Sequence, residues 1–129
     1  MKSTTHDREP MSFDYANQIG ALSTEQRLWF YEMLARNLTL AIRSVWLDDH
    51  LSDAEKVDRM KWINEIMHRV TAKISITRRN DHKWTEQDTW EMIKGFVSHN
   101  PGIGTEVGNA ILSSYSYVTG QADATADTM

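Results

Sequence analysis

The chain has 129 residues, 40% hydrophobic and 25% charged, with a formal net charge of -4, two prolines, six glycines and no cysteine. That length suits one domain able to bury its own core, and the missing cysteines exclude disulfides, thiol catalysis and cysteine-based zinc sites. A surplus of carboxylates has the wrong sign for displacing counterions from phosphates, so nucleic acid is not an expected partner.

No apolar run approaches the roughly 18 residues of a membrane span. The start, Met1 to Asp7, lacks the apolar region of a signal peptide, and a cytoplasmic protein is expected. Residues 1–20 show no sustained period and contain Pro10, which reads as a mobile arm with Phe13, Tyr15 and Ile19 as its tether. Met11 is a second candidate start.

Ser23, Thr24, Glu25 and Gln26 open the first helix as a capping box, in which the Ser23 hydroxyl accepts from the Gln26 amide and the Gln26 side chain reaches back. No Gly or Pro interrupts the chain from there to Asp48, Asp49 and His50, whose carboxylates oppose the helix dipole and act as a stop. Turning about 100° per residue puts Phe30, Tyr31, Leu34, Leu38, Ala41, Ile42 and Val45 on one broad face. Trp29, Met33, Leu40 and Leu47 make a second seam. Glu25, Glu32, Arg36, Thr39 and Arg43 form the wet strip, with Glu32 and Arg36 in the favourable i,i+4 order. A helix apolar on two flanks needs a neighbour beyond its own hairpin mate, and the second seam is therefore the candidate protein-interaction face, for a homodimer or another partner.

Ser52 to Glu55 is a second capping box, and the short link before it folds the second helix back on the first as an antiparallel hairpin. Met60, Ile63, Ile66, Met67, Val70 and Ile74 fall within an arc of roughly 120°, and the helix is expected to reach about Ile76. Thr85 caps a third helix, with Trp90, Ile93, Phe96 and Val97 as a stripe that Met92 widens. His99, Asn100, Pro101 and Gly102 stop it. A fourth helix from Gly104 or Thr105 to Val118 carries Val107, Ala110, Ile111, Ser114 and Val118 on one face. Residues 119–129 are too polar and small to order themselves.

Glu65 and His68 have the E-x-x-H spacing with which helical bundles hold di-iron centres, but such a site needs two copies and further carboxylates. This chain has one copy, turned away from the Met60 to Ile74 arc, so no metal and no cofactor are expected. The hinge between the third and fourth helices has the outline of a helix-turn-helix, yet no Lys or Arg follows Lys94. Without cations nothing there would hold phosphates. Arg69, Lys73, Arg78, Arg79 and Lys83, with His82, form the one local basic patch. They complement the dipole of the second helix and give an alternative reading as a nucleic-acid-binding regulator, with Trp84 available for stacking. Gly102, Ile103 and Gly104 follow a helix rather than a strand, which makes them turn chemistry and not a phosphate loop.

Arg43 and His50 stand six residues apart, a spacing that resembles the R-x(4–6)-H element of HEPN-type helical ribonucleases over eight positions of the chain. The resemblance implies a second alternative, metal-independent RNA cleavage. In it His50 would serve as acid or base on a ribose hydroxyl and Arg43 would steady the phosphate. Asp48 and Asp49 beside them would repel an RNA backbone.

The sequence thus predicts an all-α protein: a four-helix domain over residues 21–118, built on a long antiparallel helical hairpin with two shorter helices packed across it. The function it predicts is non-enzymatic: a small regulatory or adaptor protein, homodimeric, working through protein-protein contact.

Overall fold

The computed structural model describes residues 13–79 and 83–128, with side chains described as far as residue 120. Every regular element among them is helical: α1 over Tyr15–Gly20, α2 over Thr24–Trp46, α3 over Asp53–Arg78, α4 over Glu86–His99, a single 3-10 turn at Pro101–Ile103, and α5 over Gly104–Thr128. Among the described residues five α-helices pack together, the four predicted and α1 ahead of them. None of the described helices is long and apolar enough to cross a membrane.

The starts of α2, α3 and α4 are set by the same local chemistry. Ser23, Ser52 and Thr85 each accept from the amide three residues on, and Gln26, Glu55 and Asp88 return the bond to the cap amide. Each box satisfies two of the four amides that a helix start leaves open. At the other end of α2 the helix stops at Trp46, before Asp48 and Asp49. Asp48 Oδ1 accepts from the His50 amide at 2.8 Å, which turns the chain toward Ser52.

α2 and α3 lie side by side in opposite directions. Glu32 meets Arg78 at 3.1 Å, the Thr39 hydroxyl reaches the Met67 sulfur at 3.0 Å, and Lys56 lies 5.6 Å from the Trp46 ring. Between them Phe30, Leu34, Leu38, Ile63, Ile66 and Val70 are buried. α5 closes the other flank of α2, where Val107, Ala110, Ile111, Ser114 and Val118 are buried and Asn37 donates to the Ser114 hydroxyl at 3.0 Å.

The arm expected over residues 1–20 needs correction in its last part; residues 1–12 lie outside the described ones. Tyr15–Gly20 is a helix, and Tyr15 and Ile19 are fully buried. Tyr15 stacks on Trp90 at 5.3 Å and meets Phe30 edge-on at 5.9 Å. Two large side chains four residues apart suffice to dock one and a half turns. At the far end α5 continues past Val118, where the sequence placed its end.

The corner between α4 and α5 is pinned to α3. Asn100 donates to Asp58 at 2.7 Å, the Arg59 guanidinium donates to the Gly102 carbonyl at 3.1 Å, and the His99 ring stacks on Trp62 at 4.3 Å. A Cβ at Gly102 would stand 2.8 Å from the guanidinium, so a side chain there would push the end of Arg59 aside.

Candidate interaction surface

The second seam of α2 turns outward. Trp29 is 45% exposed, Leu40 51% and Leu47 66%, and Met33 is half-buried. At about 100° per residue these four share one side of the helix. With α3 on one flank and α5 on the other, that side forms a ridge. Leu40 lines the hollows on both sides of it. One, of about 450 Å³, runs toward α3 and is walled by Thr39, Ile42, Arg43, Trp46 and Met60. The other, of about 280 Å³, runs toward α5 past Asn37, Ser44, Glu106 and Asn109.

Trp46 and Val57, both more than half exposed, extend the apolar surface around the α2–α3 link. Neither was picked out from the sequence, although a signal existed for each. Trp46 lies off both apolar faces of its helix, and Val57 falls about 60° outside the core arc of α3 on a helical wheel.

Along the rim of the ridge the charges are ordered. Glu25 and Glu32 come first on α2, Arg36 and Arg43 later. Glu32 pairs with Arg78 across the helices rather than with Arg36, and among the described residues Arg36 and Arg43 make no ion pair.

The expected basic patch needs correction at one residue, Lys73. Arg69, Arg78, Arg79 and Lys83 are exposed, and His82 lies outside the described residues. Lys73, in contrast, is only 3% exposed. Its ammonium donates to the Trp84 carbonyl, stands 3.3 Å from the Glu86 carboxylate, and lies 5.9 Å from the Tyr31 ring. Charge type misled here, because position 73 falls about 20° from Ile66 on the helical wheel, at the edge of the buried arc. Burial is tolerable because the cation has a carboxylate and a carbonyl to meet.

That carboxylate also accepts from the Tyr31 hydroxyl at 3.2 Å, and Tyr15 donates to the Tyr31 hydroxyl at 3.3 Å. Burial pushes the Tyr31 phenol well above its ordinary value, with the Glu86 charge adding to the shift. Tyr15 is raised by burial first and by Tyr31 next. Both phenols stay protonated, as donors in a closed chain of bonds.

Arg43 and His50, the pair that resembles the ribonuclease element, are both exposed, and no bond joins them. The His50 ring sits 3.3 Å from Asp48, and the Asp48 carboxyl is held below its ordinary value, chiefly by the His50 backbone amide. Glu65 is half-buried and His68 exposed; among the described residues no three His, Asp or Glu side chains gather as a metal site would require.

Fold and surface together define an all-helical protein with an apolar ridge on its central helix. Comparison with protein-family models, with curated proteins and with solved structures found no match for this chain.

Proposed function

We infer that the chain is a small regulatory or adaptor protein of the cytoplasm that works by protein-protein contact and is homodimeric, with the α2–α3 hairpin as its frame. One observation carries the reading: Trp29, Leu40, Trp46, Leu47 and Val57 are all 45% or more exposed, and three of them line one side of a single helix. Scattered apolar residues on a surface need no explanation, but a contiguous apolar face is what an interface core requires. Tryptophan is prominent among the residues that carry binding energy at such faces.

Native mass measurement and light scattering of the wild type and of Leu40→Glu test this directly. The expected result is a dimer for the wild type and a monomer for the variant, with unchanged helical content. A wild type that is monomeric at about 100 μM would remove the homodimer.

A further inference from the structure

Resting on the reading of the α2 ridge as a self-association surface, we propose that the partner is a second copy of this chain whose α2 lies antiparallel to the first across a two-fold axis. The charge order along the helix selects this geometry. Glu25 and Glu32 precede Arg36 and Arg43 on the rim beside Trp29, Met33, Leu40 and Leu47. An isologous pair places the same patch on both copies, so each residue i that meets j is matched by j meeting i.

Antiparallel pairing that sets Trp29 of one copy against Leu47 of the other brings the two charged rims together. Glu32 of each copy then stands within about one residue rise, ~1.5 Å, of the level of Arg43 in its mate. Two opposite-charge contacts follow by symmetry. Arg36 and Arg43 border the seam, where their aliphatic stems lean over Leu40 and Met33 of the mate while the guanidinium groups stay at the edge.

Parallel pairing about a two-fold along the helices instead carries the charged rim to opposite edges of the seam in the two copies, so Glu32 and Arg43 never meet. The opposite-charge contacts are lost in that arrangement. Glu32 already accepts from Arg78 through Oε2 at 3.1 Å, in a pair whose two side chains are both largely exposed. Such a pair is weak, and a carboxylate has about four acceptor sites, leaving capacity for a second guanidinium. The hollows flanking Leu40 give the mate's ridge a place to sit.

The chain has no cysteine of its own, so single replacements report geometry cleanly. Thr39 lies next to the two-fold axis in the antiparallel pair, whereas the two copies of Glu25 are about 39 Å apart along the helix axis. Thr39→Cys, which faces sideways at that level, should be joined to its mate by a bis-maleimide linker spanning roughly one helix diameter, ~10 Å, and Glu25→Cys should not. In the same assay Glu32→Arg and Arg43→Glu should each weaken the dimer about tenfold or more, with the double variant restored to near wild type. A dimer in which Glu25→Cys cross-links efficiently, or one indifferent to both charge reversals, overturns the antiparallel geometry while leaving self-association intact. A monomeric wild type overturns both.

Discussion

The two ends of the α2–α3 pair are built on opposite terms. At one end Tyr15, Tyr31, Lys73, Glu86 and Trp90 close on one another beneath α1 and α4, so that the phenols, the ammonium and the carboxylate are buried with partners, while the buried Thr77 hydroxyl has none among the described residues. At the other, around the link after Trp46, apolar groups are exposed and no helix among the described residues covers them. A polar atom withdrawn from water needs its bond supplied, and an apolar face left in water invites a neighbour. Most polar groups at the first end are satisfied within one chain, and the second end is where the proposed association would take place.

Breaking the finished end should have the largest effect. Lys73→Ala leaves the Glu86 carboxylate without its cation and opens a cavity, and a loss of about 3–5 kcal/mol is expected from urea denaturation. A loss under about 1 kcal/mol would mean that the pair is solvated.

Raising pH should act at the same place. The buried phenols favour the neutral form, so folded and unfolded states are both protonated below about pH 10. Above it the unfolded chain ionises first and stability falls as pH rises. Tyr31→Phe, followed by thermal melts from neutral to strongly alkaline pH, should show a shallower fall than the wild type.

The helix starts come next in size. Ser23→Ala and Ser52→Ala should each cost about 1 kcal/mol, read in the same denaturation assay. At the exposed end, Trp46→Lys should change stability by no more than about 0.5 kcal/mol while weakening self-association. A large loss of stability there would show that Trp46 supports the fold rather than an interface.

Most of the fold was legible because its periods are clean. Ser23, Ser52 and Thr85 marked their helix starts, and the buried faces of α2, α3 and α5 fell where the spacing put them. α1 was not legible, because six residues are too few to show a period and only docking onto Trp90 and Phe30 makes Tyr15–Gly20 a helix. The ridge was legible as a second apolar seam from Trp29 to Leu47, but Trp46 and Val57 joined it only once the hairpin brought two helices together at the link. Lys73 was read by its charge and not by its place on the wheel. Nothing local in the sequence announces that Glu86 and the Trp84 carbonyl will be waiting for it.

The bond from Arg59 to the Gly102 carbonyl also bears on the ridge. It fastens the 3-10 turn that leads into α5 to α3, and Glu106 and Asn109 follow within about two turns, forming the far wall of the hollow beside Leu40. A guanidinium on a different helix is therefore one of the ties behind that wall. Substitutions at this remote corner reach the hollow through the backbone while leaving every residue of the ridge as it is.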